Sequence, residues 1–151
     1  MTLPYSPQSK VAFAHTRMAA DHYGLIYVRA EDLLVALTMT EEKLTRQVLI
    51  ELGFCTASVT NYFSSVYYYP PQRENRADMF RFSLIEHKAQ FSAKWSVSGL
   101  VEPHHLLIAL THLRKVNVSQ CILHHGVSPE DIKERIYLRK HDHALELVAA
   151  I

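Results

Sequence analysis

Residues 31–38 read Glu-Asp-Leu-Leu-Val-Ala-Leu-Thr, and residues 104–111 read His-His-Leu-Leu-Ile-Ala-Leu-Thr. The second stretch follows the first by 73 residues, and the same offset carries Gly53 onto Gly126 without a gap. From residue 28 to residue 63 this offset gives eight identical pairs in thirty-six positions, where ordinary composition would give roughly two. Because an internal repeat decides how a chain is divided, we interpret the sequence as two copies of one unit.

Apolar residues at helical spacing predict four helices in each copy. The first helix is expected to begin at Ser6-Pro7, because serine is a good cap and proline suits the first helical position. Val11 and Met18 mark its apolar positions. Its counterpart in the second copy carries the stripe Phe80, Leu84, Phe91 and Trp95. The sequence thus predicts an all-α fold, with two pseudo-twofold-related four-helix repeats forming one compact domain.

The predicted boundaries place the whole chain, 1–151, in that single domain, which is long enough to bury a core of its own. The Pro70-Pro71 pair breaks any helix, and the residues around it lack periodicity. The predicted parts are, in chain order, repeat one (5–63), a linker (64–78), repeat two (79–137) and a C-terminal helical tail (138–151).

Two further expectations concern packing and helix starts. Leu34 and its copy Leu107 lie on the shared apolar stripe and are expected to be buried. Ser128 is a strong cap for the last helix of repeat two, whereas Cys55 takes the equivalent position in repeat one and is a poor cap. The fourth helix of repeat one is therefore expected to be the weaker of the two.

Charge and composition exclude several classes of protein. Sixteen basic residues against fifteen acidic ones leave a formal charge of +1, so no nucleic-acid partner is expected. No apolar run is long enough to span a membrane, and the first residues lack the pattern of a secretory signal. Two cysteines that are far apart in the chain are expected to stay reduced. The sequence therefore predicts a cytoplasmic protein without a membrane partner.

Catalytic and cofactor motifs are absent from the sequence. Its four glycines are scattered, whereas a phosphate-binding loop needs them clustered, and no metalloprotease or nucleophile motif occurs. We therefore expect a protein that is not an enzyme and holds no cofactor. Among its ten histidines are three groups, His104-His105, His124-His125 and His141 with His143. No metal site is predicted from them, because adjacent side chains on a helix diverge by about 100°.

The stretches Ala30 to Leu37 and Val48 to Phe54, with their copies Pro103 to Leu110 and Cys121 to Val127, resemble the N-terminal domain of Clp-type AAA+ unfoldases. The resemblance covers residues 3–137. It implies a non-catalytic module that recruits substrates or adaptor proteins to a Clp-type ATP-dependent unfoldase or protease. The chain could instead be a stand-alone accessory subunit that regulates assembly of the unfoldase and its protease. A third hypothesis is a small-ligand or metal-binding sensor built on the histidine-rich second half.

The resemblance also implies a ligand. Some similar domains bind phosphorylated arginine, once per repeat, through a hydroxyl at the first helix cap and a glutamate at the start of the second helix. Those positions are Ser6 and Glu31 in repeat one, and Met79 and His104 in repeat two. A carboxylate can pair with a guanidinium group, whereas Met79 and His104 cannot take these roles at neutral pH. The resemblance therefore leaves the first repeat as the place where a phosphoarginine-bearing protein could bind. These four residues and Asp32 are the candidate partner-binding residues. For Glu31 the alternative is structural, since an acid stabilises the first turn of a helix by about 0.3–1 kcal/mol.

Overall fold

The computed structural model describes residues 2–66, 76–114 and 116–150. Eight helices form this part of the chain: α1 (Pro7–His22), α2 (Ala30–Thr38), α3 (Lys43–Glu51), α4 (Thr56–Val66), α5 (Ala77–Ala93), α6 (Pro103–Leu110), α7 (Asn117–His124) and α8 (Pro129–Ala149). These ranges contain no strand, although Tyr5 and Val101 form one isolated parallel β-bridge. The all-α prediction is confirmed. None of the described helices is both long and apolar enough to cross a lipid bilayer.

The two repeats are visible in how the helices pack. Helix α1 packs on α2 as α5 packs on α6, and α3 packs on α8 as α7 packs on α4. Helices α2 and α6, which carry the two repeated stretches, also contact each other. Exchanging α1–α4 with α5–α8 reproduces this pattern of contacts, so the predicted pseudo-twofold arrangement of four-helix repeats is confirmed.

The core lies around α2 and α6. Leu34 and Leu107 are 1% and 0% exposed, as predicted. Val59 and Phe63 on α4 are buried in the same way as Ile132 and Ile136 on α8. One connected cluster of buried side chains draws on both repeats, so neither repeat has a separate core.

The buried face of α1 carries small side chains and not the large apolar ones. Its buried residues are Ser9, Ala12, Thr16 and Ala20. The buried residues of α5 are Asp78, Phe82, Ile85, Ala89 and Ala93. The stripes predicted for these helices were therefore wrong: Met18 is 65% exposed, Phe91 is 71% exposed and Trp95 is 84% exposed. Small side chains let helices approach closely, so the buried face can be the one with less apolar volume.

The predicted linker and tail overlap observed helices. Helix α4 continues to Val66 and α5 begins at Ala77, so both ends of the predicted linker 64–78 are helical. Its middle, with the Pro70-Pro71 pair, lies outside the described residues. The predicted tail continues α8 without a break as far as Ala149. Three apolar side chains of this tail are exposed, namely Leu138, Leu145 and Val148.

The helix starts agree with most of the predicted caps. The Ser6 hydroxyl accepts a hydrogen bond from the Ser9 N–H at the start of α1. The Ser128 hydroxyl accepts from the Asp131 N–H, and the Asp131 carboxylate accepts from the Ser128 N–H in return. Helix α3 is capped by Glu42, whose carboxylate accepts from the Thr45 N–H. A carboxylate there accepts the same amide hydrogen bonds as a hydroxyl and also favours the positive helix end.

The segment that precedes α1 is bonded to repeat two, and residues 3–6 are called the N-terminal strap below. The Leu3 N–H donates to Gln90 Oε1 at 2.8 Å, and Gln90 Nε2 donates to the Leu3 carbonyl at 2.9 Å. The Val101 N–H donates to the Pro4 carbonyl at 2.8 Å, and the Ser6 N–H donates to the Val101 carbonyl at 2.9 Å. The strap therefore places the start of α1 beside the start of α6.

Candidate functional site

A buried ion pair occupies the start of α2. The Arg29 guanidinium donates to both carboxylate oxygens of Asp32, from Nε at 2.8 Å and from Nη2 at 2.9 Å. The two residues are 6% and 4% exposed. Removing one partner of such a pair leaves a buried charge, which is strongly destabilising. Both carboxylate oxygens of Asp32, one of the predicted partner-binding residues, therefore accept hydrogen bonds from Arg29.

Glu31 lies at the junction of α2 with repeat two. It is 9% exposed, and Asn117 Nδ2 donates to its Oε2 at 3.5 Å. Burial raises the pKa of Glu31; the Arg29 charge opposes this, and the nearby Asp78 carboxylate on α5 adds to it. Burial likewise raises the pKa of Asp78, although Arg81 lies 3.4 Å away. Two carboxyl groups from different repeats thus lie at one junction, where burial outweighs the charges of Arg29 and Arg81.

The two residues predicted to form a first-repeat ligand site have different neighbours. Ser6 is buried, and its hydrogen bonds go to Ser9 and to the Val101 backbone at the start of α6. Glu31 has its hydrogen bond with Asn117 on α7. Met79, on the first turn of α5, is 40% exposed. In the described structure Ser6 and Glu31 each form a hydrogen bond with a residue of repeat two, and no hydrogen bond joins Ser6 to Glu31.

His104 connects the starts of α6 and α3. It is 3% exposed, and its Nδ1 lies 3.0 Å from Glu42 Oε1 and 4.0 Å from Glu102 Oε2. The Thr45 hydroxyl also donates to Glu42 Oε1. Burial acts to raise the Glu42 pKa, but the hydrogen bonds from His104 and Thr45 outweigh it and leave that pKa lowered. For Glu102, burial and the charge of Glu42 raise the pKa.

His105 lies against His104, with ring centroids 4.1 Å apart. Its Nδ1 accepts a hydrogen bond from the Glu102 N–H at 2.9 Å, so Nε2 carries the ring proton. Burial, together with the charge of His104, lowers the pKa of His105 to about 3. The Nε2 atoms of both histidines are buried without a hydrogen-bond partner in the described structure. Such atoms are rare in folded proteins because each one costs free energy.

An open groove of about 380 Å³ lies between α1 and the C-terminal end of α2. Its lining residues are Pro7, Gln8, Val11, Ala12, His15, Ala36, Met39, Thr40 and Glu41. Val11 and Met39 are 55% and 45% exposed, while Ala12 and Ala36 beneath them are buried. The sequence analysis missed this groove because it treated Val11 as a core residue of α1. The alternation of small residues with Val11 and Met18 was the signal that α1 has a second apolar face.

These helices define a class of protein, a duplicated all-α domain with two pseudo-twofold-related four-helix repeats. No protein-family model matches the sequence, and no curated protein is similar to it. Solved structures do match the fold. The N-terminal domain of the chaperone ClpD from Arabidopsis thaliana superposes with a TM-score of 0.68 and 13% identity, over 91% of this chain and 94% of that one.

Two further solved structures give the same result. The Hsp104 N-terminal domain from Candida albicans matches with a TM-score of 0.65 and 13% identity, over 88% of this chain and 89% of that one. A protein from structural work on a malarial protein secretion system matches with a TM-score of 0.66 and 17% identity, over 89% and 93%. The chain therefore has the fold of the N-terminal domains of Clp and Hsp104 chaperones, and the resemblance found in the sequence is confirmed for the fold.

Proposed function

We propose that the chain is a non-catalytic protein-interaction domain that recruits substrates or adaptor proteins to a Clp-type ATP-dependent unfoldase, and that it works in the cytoplasm. The observation that supports this proposal is the groove between α1 and α2, with its exposed Val11 and Met39 side chains. Large apolar side chains on an outer face, beside buried alanines, offer contact area to an apolar peptide segment.

The proposed occupant is an extended apolar segment of an unfolded protein. The floor of the groove is apolar, at Ala12 and Ala36, and its rim carries Gln8, His15 and Glu41. A peptide backbone that lies in the groove can hydrogen-bond to these rim side chains while its own side chains contact Val11 and Met39. Such a site selects apolar character rather than one sequence, which suits a domain that receives many clients.

The test is a binding titration of the wild-type chain with fluorescently labelled casein, followed by anisotropy. A Val11→Asp variant should bind at least about tenfold more weakly, because a desolvated charge opposes burial of the apolar segment. The matched control is Leu84→Asp, which changes the position 73 residues later on α5, where the side chain is 40% exposed. If both variants lose affinity equally, or neither does, the groove is not the binding site.

The accessory-subunit alternative predicts a different partner. A stand-alone regulator would bind an assembled Clp unfoldase or its protease, whereas a recruitment domain would bind unfolded substrates or adaptors. Binding of the wild-type chain to a purified Clp unfoldase–protease complex, unchanged by Val11→Asp, together with no binding to casein, would favour the accessory subunit.

Phosphoarginine binding through the first repeat stays a prediction of the sequence. The carboxylate of Glu31 could pair with a guanidinium group, and such a cation would compensate the charge that Glu31 and Asp78 share at their junction. The expected result is that Glu31→Gln abolishes binding of a phosphoarginine-bearing peptide, measured by calorimetry, while unphosphorylated casein binds as before. Unchanged affinity for the phosphorylated peptide would remove Glu31 from the ligand site.

A further inference from the structure

We propose that Glu42, Glu102 and His104 form a binding site for a divalent transition-metal ion such as Zn²⁺, held between the two repeats. One ligand atom from each residue can be chosen so that all three lie within 4.8 Å of one another. Two ligands that each bind one zinc ion at about 2.0–2.2 Å in a tetrahedral site lie roughly 3.3–3.6 Å apart. The separations from His104 Nδ1, 3.0 Å to Glu42 Oε1 and 4.0 Å to Glu102 Oε2, lie on either side of this distance. The site is distinct from the groove between α1 and α2, and it does not depend on the function proposed for that groove.

The three residues come from parts of the chain that are far apart. Glu42 caps α3 in repeat one, whereas Glu102 and His104 stand at the start of α6 in repeat two. The sequence analysis considered only histidines that are neighbours in the chain, and so it predicted no metal site. The fold supplies the missing ligand, since Glu42 lies 3.0 Å from His104 although 62 positions separate them.

The His104 ring is buried beside the two carboxylates. Its side chain is 4% exposed, and its Nε2 has no hydrogen-bond partner in the described structure. The opposite nitrogen, Nδ1, faces the carboxylates of Glu42 and Glu102. The nitrogen that faces the two carboxylates is Nδ1, and it is therefore the atom of His104 that would bind the ion. Imidazole and carboxylate are ordinary zinc ligands, and three protein ligands with an open position are typical of sites that keep a water molecule.

The surroundings fit a cation of charge +2. The facing titratable groups are the two carboxylates, His104 and, from α8, Lys140, which acts on Glu102 at longer range. Glu42 and Glu102 repel each other across the site, and one divalent ion would compensate both negative charges. The repeat offset of 73 pairs Glu42 with Lys115, Glu102 with Arg29 and His104 with Glu31. Two of these equivalents are basic, so the ligand set belongs to one copy only.

Residues outside the ligand set also hold it in position. The Thr45 hydroxyl and N–H both donate to Glu42 Oε1, the oxygen that also lies 3.0 Å from His104 Nδ1, and they hold this carboxylate in its orientation. His105 Nδ1 accepts from the Glu102 N–H and so fixes the backbone of that ligand. Such supporting hydrogen bonds orient ligands in metal sites, and removing one typically lowers metal affinity by about 10–100-fold.

The test uses the full chain after treatment with a chelator. Titration with ZnCl₂ in a calorimeter should show one site that binds more tightly than any other, and saturation should raise the melting temperature because the ion binds the folded state. Cobalt(II) should give a visible absorption band at one equivalent, and Mg²⁺, which prefers all-oxygen octahedral sites, should give no such binding. Absence of the zinc site would overturn the proposal.

The variant that removes a ligand is Glu102→Gln, whose side chain is only partly buried and keeps nearly the same shape. Its zinc affinity should fall at least about tenfold, and its melting temperature without metal should stay close to that of the wild type. Glu42→Gln is the second variant and should lose the same site and the same cobalt band. Retention of the tight site in both folded variants would overturn the proposal.

The histidines of α8 need a control of their own. A chain in which His141 and His143 are both changed to Asn lacks the two histidines of α8, of which His141 is exposed and His143 is half-buried. This variant should keep the tight site, the cobalt band and the metal-induced rise in melting temperature. If it loses them instead, zinc binds the surface of α8, and the proposed ligands are not the site.

Discussion

Leu34 and Leu107 occupy equivalent positions on α2 and α6, and each is buried at the centre of the domain. Truncating either residue to alanine should cost about 2–5 kcal/mol of unfolding free energy, because a cavity is left in a packed core. Urea unfolding followed by circular dichroism measures this cost. The exposed Leu138→Ala change on α8 is the control and should cost well under 1 kcal/mol. A Leu107→Ala variant as stable as the wild type would contradict the central packing of α6.

His105 should make stability depend on pH. Its pKa is about 3 in the folded chain, whereas an unfolded histidine has a pKa near 6.5. Between those values the unfolded chain binds more protons, so His105 contributes stability above about pH 6.5 that is lost as the pH falls toward 3. The slope is at most about 1.4 kcal/mol per pH unit for one proton.

The measurement compares wild type with His105→Gln, whose amide oxygen can still accept from the Glu102 N–H. Urea unfolding at pH 8, 7, 6 and 5 should show that the wild type loses more stability per pH unit below pH 6.5. The comparison of slopes matters because burial raises the pKa of Glu31 and of Asp78. Those raised pKa values add stability as the pH falls, and they do so in both proteins. Parallel profiles would show that His105 titrates normally.

At the level of single residues, the sequence was a good guide to burial on α2 and α6 but a poor one to polar contacts. The buried state of Leu34 and Leu107 follows from helical spacing, which is local. The contact of His104 with Glu42, or of Glu31 with Asn117, depends on how separate helices are packed. Nothing in the spacing of these residues along the chain indicates that they meet.

Among the helices, α4 and α8 offer a matched comparison of caps. At the start of α4 the Ser58 N–H donates to Cys55 Sγ at 3.3 Å, whereas at the start of α8 the Asp131 N–H donates to the Ser128 hydroxyl at 3.1 Å. Sulfur is a weak acceptor, so Cys55→Ser should stabilise the domain, by roughly 0.5 kcal/mol within the usual range for caps. Ser128→Ala should destabilise it by about 1 kcal/mol.

Both cap variants can be measured by thermal unfolding under reducing conditions. Hydrogen exchange adds local information, because the first-turn amides of α4 should become better protected in Cys55→Ser while those of α8 do not change. A destabilising Cys55→Ser change would mean that the thiol makes contacts that a hydroxyl cannot replace.

Which helices form could be predicted, but which face of α1 and α5 is buried could not. Helix starts depend on local chemistry, such as Ser6-Pro7 and Ser128-Pro129, and both were placed correctly. The buried face depends on the neighbouring helix, and along α1 the close contact with α2 selects alanine, serine and threonine. The large apolar residues of these two helices were therefore assigned to the core, although they are exposed, and one of them, Val11, lines the groove that we propose binds partners.

The whole molecule should unfold as one unit, because a single core draws on both repeats. Helix α3 packs on α8 and α4 packs on α7, so neither repeat can open without exposing the other. Hydrogen exchange at increasing urea concentration, read by mass spectrometry, should show α2 and α6 losing protection together. Loss of protection in α6 at clearly lower urea than in α2 would show that the repeats are independent folding units.

For the whole molecule, the duplicated stretches were enough to predict the fold, since Leu33, Leu34, Ala36 and Leu37 recur in repeat two. The candidate sites were less predictable because they lie where the copies meet or differ. The groove lies between α1 and α2, and the proposed metal ligands come from both repeats. Comparing the two copies identifies the residues that both repeats have in common, and these are core residues. The candidate sites depend on residues that differ between the copies.

The N-terminal strap gives the domain a mechanical polarity. Leu3 is bonded to Gln90, and Pro4 and Ser6 are bonded to Val101, so tension applied at residue 2 passes directly into α5 and α6. From there it reaches the C-terminal end of α8 without first stretching α1–α4. A pulling force applied to the two ends of the chain therefore acts first on repeat two. Repeat one bears the force only after the hydrogen bonds of the strap have broken.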